Sequence, residues 1–457
     1  MNLVVFGVLG YVVVQLGIGA LVSRHIRTEE DYLVAGRKLG YGLATFTIFA
    51  TWFGAETCIG AAGAIYENGL SGGSADPFGY GICLFLMGFA FAVPLWRRKL
   101  TTLADLFRQR FSVGVERVAV LLLVPGSLLW AAAQIRAFGQ VLSAASGFEV
   151  SLTIAFAALV VITYTIFGGL LADAWTDLIQ GIALMIGLLV LFVAVLRDTG
   201  VEALRTVEPA RLQLFGGSEV PWLAVLEDWA IPVCGSVIAA ELVARVIAAR
   251  SPQVAQRSAL LAGGVYLAFG LIPVSIGLLG FTLLPDLAEP EQVLPLIAQE
   301  YLPPFLYMLF AGALVSAILS TVDSVLLVSA SLVSHNLILP LRPEMPEQHK
   351  IRLARGGVAV FGVVAYVIAL HAEGVYRLVE EASAFGSAGL FIVVVFGLFT
   401  RIGGPYSALA SLLGGIAAWI GGAYLWAIPY PYLASLAVAV AAFLGTALAE
   451  HYAGLRP

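Results

Sequence analysis

Five ionisable side chains stand deep inside apolar stretches of this sequence: Glu56, Arg136, Asp177, Glu241 and Asp323. Placing such a group at mid-membrane costs roughly 2.5–3.5 kcal/mol on insertion scales, so each asks for a reason. Two reasons are open. The groups can pair, Glu56 with Arg136 for instance, and hold helices together, or they can face the path of a charged solute. The sharpest cluster is Ser320 and Thr321, adjacent in the middle of an apolar run, with Asp323 and Ser324 following. Lone hydroxyls in apolar helices commonly bond the carbonyl four residues back, which is the expectation for Ser316, Ser329 and Ser331. Adjacent hydroxyls facing a bundle instead offer oxygens to a hard monovalent cation. Hydrolytic chemistry finds no support. Ser71 of Gly69-Leu70-Ser71-Gly72 sits between apolar runs, and none of the histidines at 25, 335, 349, 371 and 451 falls mid-run to act as its base. There is no HExxH for a zinc protease and no GxxxxGK[ST] for a nucleotide-driven pump. The chain reads as no enzyme.

The elements that must position these residues are membrane helices. Of 457 residues, 60% are hydrophobic and 12% charged, with a mean hydropathy of +0.96. Soluble chains run near 45–50% and about 25%. A net charge of −5 excludes a basic nucleic-acid binder. Cys58, Cys83 and Cys234 are too scattered for a disulfide or zinc framework and read as buried thiols. At about 20 apolar residues per crossing, thirteen spans emerge, near 2–22, 40–66, 76–96, 115–145, 149–169, 172–196, 221–248, 255–283, 303–336, 352–372, 376–400, 405–426 and 431–449. The first lacks a basic leader and cleavage site, so it reads as a retained span. Alternate loops divide the Lys and Arg residues nineteen to four, with Arg245, Arg250 and Arg401 among the nineteen and Arg136 left inside a span. The positive-inside rule then puts the N-terminus outside and the C-terminus in the cytoplasm. The longest pieces between spans, 197–220 and 284–302, face outside and are too short to be domains. No filter or charged ring of a channel is found.

Two spans carry helix breakers. The second has glycines at 54, 60 and 63; the seventh has Pro232 and Gly235. Interrupted spans at corresponding places in two halves mark the binding site of many secondary transporters. Spans 2–6 (residues 40–196) and 7–11 (220–400) are the expected halves of one transmembrane transport domain covering 1–457. Residues 1–39 precede them as a first span and loop, and 401–457 add two C-terminal spans.

Three stretches carry a family likeness: GRKLGYGLATFTIFATWFGAETCIGAAGAIYENG, YTIFGGLLADAWTDLIQG and AGALVSAILSTVDSVLLVSAS. Together they resemble the sodium/solute symporter family over about residues 30 to 400. The resemblance implies an all-α polytopic protein of about thirteen helices, with an inverted-repeat core like that of the leucine transporter. It implies alternating access driven by sodium in a bacterial-type inner membrane. The family's main sodium site matches the Ser320 and Thr321 hydroxyls and the carbonyls of Ala50, Phe53 and Ala317. In some members the aspartate matching Asp177 helps form a second sodium site with the ninth span, where this chain has Asp323 in place of a serine, followed by Ser324. Within the family the chain looks most like the choline transporters, on ATW at 50–52, FGY at 78–80, LWAAA at 129–133 and the segment near Arg245. Three aromatics of their ammonium cage match Trp52, Tyr80 and Trp130; the fourth falls at Ala239.

A site holding Glu56, Glu241, Trp52, Tyr80 and Trp130 favours cations, which gain roughly 0.5–2 kcal/mol from an aromatic face. A small amine or quaternary ammonium compound is therefore the first expectation. An amino acid is the second, with its ammonium toward a glutamate and its carboxylate toward Arg136. A solute receptor that does not transport is the more distant alternative.

Overall fold

The computed structural model describes residues 28–167, 170–372 and 374–453, with the isolated positions Gly10, Val13 and Gly17. Apart from those three positions, the expected first span lies outside the described residues, as do Arg24, Arg27 and Arg456. The described chain is helical; its one β-contact is an isolated parallel bridge between Leu39 and Ala249. Among the described residues eight helices are long and apolar enough to cross a membrane, or ten if each of two bent pairs is one span.

The second expected span begins with α1 (Tyr41–Trp52). Phe53 then leaves the helix at φ −98°, ψ 83°, and after Gly54 a wider turn (Glu56–Ala61) leads into α2 (Ala62–Asn68). The run Glu56–Arg97 has 42 residues, about 63 Å at 1.5 Å per residue, twice a membrane core. It folds back on itself: Thr57 bonds Asp76 at 2.8 Å, and Asp76 is extended at φ −134°, ψ 125°. The return strand of this hairpin contains α3 (Tyr80–Leu86). A short α4 (Ala104–Arg110) precedes three long helices, α5 (Val113–Ser146), α6 (Val150–Phe167) and α7 (Leu170–Thr199).

The seventh expected span is broken. Its halves, α8 (Trp222–Ala230, extended to Gly235) and α9 (Ala240–Ile247), meet at 42°. Then come α10 (Pro252–Leu283), α11 (Pro304–Val333) and α12 (Glu347–His371). A second bent pair, α13 (Val375–Ala384) and α14 (Ser387–Phe399), also turns by 42°. It bends at Phe385–Gly386, where Gly386 takes φ +67°, a break that the sequence reading did not anticipate. A hairpin of α15 (Pro405–Ile420) and α16 (Pro431–Tyr452) ends the described chain.

The core is organised around α11, which is buried without interruption from Phe310 to Leu332 and packs on α1, α5, α7 and α12. A helix apolar all round must be central. A smaller cluster of Ala230, Ile231, Ala384, Ala388, Trp419 and Tyr432 seats the terminal hairpin against α8, α13 and α14. Two carboxylates serve helix ends there. Glu227 accepts the Tyr432 and Leu433 amides at 2.6 and 2.8 Å, and Glu450 those of Gly404 and Tyr406 at 2.7 and 3.0 Å.

Arg245 corrects the reading of the loops. It belongs to none of them: it is fully buried, on α9.

Candidate functional site

The ion side forms where the break in α1 meets α11. Thr321 Oγ1 lies 3.4 Å from the Ala50 carbonyl and 3.3 Å from that of Ala317. Three of the five expected sodium ligands thus stand around one point, and Phe53 is the residue that leaves the helix beside them. Gly54 keeps this approach close: a Cβ there would lie 3.0 Å from Thr321 Oγ1, a tight contact that would press on that hydroxyl. Ser320, one residue earlier and about 100° around the helix, turns to α7 and donates its hydroxyl to Asp177. Against expectation, Thr321 does bond the carbonyl four residues back, that of Ala317, while also reaching Ala50; Ser320 turns to Asp177 instead. Ser331 bonds back too, to Leu327 at 2.6 Å, but Ser329 Oγ is buried without a partner among the described residues.

Behind this point lies a buried ionic network. Asp177 also accepts the Thr47 hydroxyl. Arg245 Nη2 stands 2.6 Å from Asp173 Oδ2 and 3.6 Å from Asp177 Oδ2, and it also donates to Ser324 Oγ. Its Nε donates to the Thr47 carbonyl at 3.1 Å, and Nη1 to that of Glu241 at 3.2 Å. Two carboxylates thus face one guanidinium.

Of the three residues considered for a second sodium, Asp177 and Ser324 meet around Arg245 Nη2. Ser324 Oγ is engaged by Arg245 and lies 2.8 Å from Asp173 Oδ2. Asp323 instead acts electrostatically on Tyr32, a residue of the short helix Glu29–Val34 ahead of α1.

One turn from the ion side is a small cavity of about 60 Å³, lined by Trp52, Tyr80, Ser127, Trp130, Ser236, Ala239, Glu241, Ser383 and Phe385, among others. Trp52 is its centrepiece, with ring centroids 5.0 Å from Tyr80 and 5.2 Å from Trp130. Ala239 lines the wall as expected, and Phe385, at the unforeseen bend, supplies a fourth aromatic residue to the lining. Glu241 accepts the Ser127 hydroxyl at 2.6 Å. Ser383 Oγ lies 3.1 Å from Tyr80 OH and accepts Ser236 at 3.3 Å. That contact requires Gly235, whose Cβ would sit 2.2 Å from the Ser383 carbonyl. Tyr80 also lines a second cavity of about 320 Å³ with Trp229, Tyr376, Asp228 and Glu380. The smaller cavity is a few waters in size.

Two expected solute ligands are elsewhere. Glu56 stands behind the wall, accepting Trp130 Nε1 at 2.5 Å and Gln134 Nε2 at 2.8 Å. Arg136, two residues beyond Gln134, faces α12 and donates to the Ala369 carbonyl at 3.1 Å. The suggested Glu56–Arg136 pair does not form, because helical rotation sends the two side chains apart.

Sequence reasoning missed Asp76 and Tyr266, whose hydroxyl and carboxylate are 2.8 Å apart and which tie Thr57 and the Trp52 carbonyl into one knot at the α1 break. It also missed Ser127, Ser236 and Ser383. Asp76 and Asp173 carried a usable signal as further carboxylates in apolar surroundings; the lone serines carried none. Among the described residues no group of three or more His, Cys, Asp or Glu side chains could hold a metal ion.

The sequence pattern of the sodium:solute symporter family matches residues 32–415. A high-affinity choline transporter of Drosophila melanogaster is 29% identical over 385 residues, covering 77% of this chain and 59% of that protein; the chain thus spans under two thirds of its length. The sodium/pantothenate symporter of Escherichia coli is 26% identical over 442 residues, covering 93% of this chain and 90% of its own. In fold, the chain is similar to an outward-open, substrate-bound Na+-coupled sialic acid symporter, with a TM-score of 0.86 and 19% identity over 98% of this chain and 97% of that one.

Proposed function

This chain belongs to the sodium:solute symporter family, and we propose that within it the protein imports a small organic cation, an amine or quaternary ammonium compound, with one sodium ion per cycle. It is a sodium-coupled secondary transporter of a small organic solute and no enzyme. One observation carries the choice of solute: Trp52, Tyr80, Trp130 and the Glu241 carboxylate line a single cavity that no arginine or lysine lines. Aromatic faces and a carboxylate both attract a cation where water is scarce. The amino-acid reading needed Arg136 for the carboxylate, and Arg136 is turned to Ala369.

The ion and the solute share one joint. Sodium held by Ala50, Phe53, Ala317, Ser320 and Thr321 would fix the break in α1, and Trp52 stands one residue before Phe53. Filling the ion site therefore sets the solute wall. Asp177 holds the Ser320 hydroxyl beside this joint. With the N-terminus outside, solute comes through the second cavity past Tyr80, and the two halves (40–196 and 220–400) rock to release it inward. Moving one charge through about 100 mV supplies roughly 2.3 kcal/mol, and a tenfold sodium gradient adds about 1.4 kcal/mol.

Proteoliposomes with an inward sodium gradient test this. Labelled choline should accumulate, and replacing sodium with potassium or N-methylglucamine should abolish uptake. Uptake indifferent to that replacement removes the coupling; sodium-driven uptake blocked only by sugars or carboxylates removes the cation.

A further inference from the structure

The geometry points to a binding site for an anionic phospholipid headgroup at the basic-loop end of the terminal hairpin. A cavity of about 610 Å³ opens there, remote from the ion and solute sites, with Arg110, Arg401 and His451 in its lining. Its single carboxylate, Glu450, is already committed to the Gly404 and Tyr406 amides and the Ser407 hydroxyl at the start of α15. Two arginines against one such carboxylate leave the cavity positive.

The two arginines are presented differently. Arg110 Nη2 donates to the Ile402 and Gly403 carbonyls at 2.9 and 3.2 Å, which holds the guanidinium in place with other N–H groups still to give. Arg401 is exposed and has no partner among the described residues. The rest of the lining includes Leu444 and Leu448, 43% and 57% exposed on α16, a helix long and apolar enough to cross a membrane. A basic floor continuous with apolar side chains on a bilayer-facing helix fits a ligand with a phosphate at one end and acyl chains at the other. Inorganic phosphate would use the floor and leave the leucines bare. Each arginine near the membrane surface contributes about fivefold to binding of an anionic lipid.

The test is retention of phosphatidylglycerol by the purified full chain, read by native mass spectrometry and by thermal stability in detergent, against phosphatidylcholine and inorganic phosphate. Wild type should keep phosphatidylglycerol and be stabilised by it alone. Arg401→Gln, which breaks no contact, should weaken retention about fivefold, and Arg401→Lys should restore it. Arg110→Gln should weaken it again, and because that change also frees two carbonyls, Arg110→Lys serves as its control. Equal retention by wild type and Arg401→Gln overturns the site. So does stabilisation by inorganic phosphate that matches and displaces the lipid.

Discussion

The indole N–H of Trp130 meets Glu56 Oε1 at 2.5 Å, behind the wall of the solute cavity and out of a solute's reach. Glu56 is therefore a positioning residue, and its two substitutions should separate. Glu56→Ala strands two buried donors, those of Trp130 and Gln134, at about 1–3 kcal/mol each. Half-saturation for solute should rise roughly tenfold or more, with lower thermal stability. Glu56→Gln keeps an acceptor for the indole, and Gln134, whose Oε1 now has no partner, can turn its amide to accept from the new one. Uptake kinetics of Glu56→Gln should stay within about threefold of wild type. A glutamine variant as damaged as the alanine one would mean that the charge itself meets the solute.

Thr321 is the better single probe of the ion site, because Ser320 also serves Asp177. Thr321→Ala removes an oxygen that lies between the Ala50 and Ala317 carbonyls. The sodium concentration for half-maximal uptake should rise at least about tenfold, as for the loss of a hydrogen bond to a charged group. Thr321→Ser should remain near wild type. Sodium titrations of uptake, with folding checked by size-exclusion profile, decide it.

Arg245 should tolerate no neutral replacement. It is fully buried and touches Thr47, Asp173, Ser324 and Glu241. Removing one partner of a buried ionic network costs about 3–5 kcal/mol, because the opposite charges are left unpaired. Arg245→Gln should fail to accumulate, or unfold at clearly lower temperature. Changing Asp173 to Asn in the same chain should recover part of the loss. No recovery in the double variant would place the role of Arg245 outside this pair.

The contrast between Arg245 and Thr321 shows what the sequence could convey. The hydroxyl pair at 320–321 was legible because two adjacent polar residues in an apolar run have no cheap explanation. The α1 break was legible through Gly54. Arg245 was not, because an arginine near the end of an apolar run looks like a loop residue until the neighbouring helices are in place. Glu56 and Arg136 were rightly singled out as costly yet wrongly aimed, since helix rotation beyond a break has no signature in residue type. The bend at Phe385–Gly386 was invisible for a similar reason: one Phe-Gly pair in a glycine-rich chain marks nothing. That bend is what adds Phe385 to the cavity.

Asp177 already accepts two hydroxyls and lies within 3.6 Å of Arg245, while Ser324 is engaged by Arg245 and Asp173. Little is left there for a second sodium. Uptake should depend on sodium with a Hill coefficient near one. Current and tracer flux measured on the same proteoliposomes should give about two charges per solute, one from sodium and one from the organic cation, where 100 mV adds roughly 2.3 kcal/mol for each. A sigmoidal sodium curve with three charges per solute would restore the second ion. A single charge per solute with one sodium would mean a zwitterionic substrate.

Glu241 is the residue proposed to set solute charge. It is the one carboxylate in the lining of the small cavity, and Ser127 holds it at 2.6 Å. A primary or secondary ammonium solute that donates to this carboxylate gains a charge-assisted hydrogen bond worth about 1.5–3 kcal/mol, whereas a quaternary one has no N–H to give and gains only the Coulomb attraction. Glu241→Gln should therefore raise half-saturation for an amine that carries an N–H by roughly tenfold to a hundredfold, and for a quaternary ammonium solute by less. Ser127→Ala leaves the charge and removes only its tether, so its cost should be smaller, and sodium dependence should be unchanged in both. The decisive comparison is competition. Against wild type, tetramethylammonium and choline should compete and betaine should compete poorly, since its carboxylate finds no basic side chain in the lining. If betaine or an amino acid competes best, and Glu241→Gln leaves that competition untouched, the carboxylate does not select the solute and the cation reading fails.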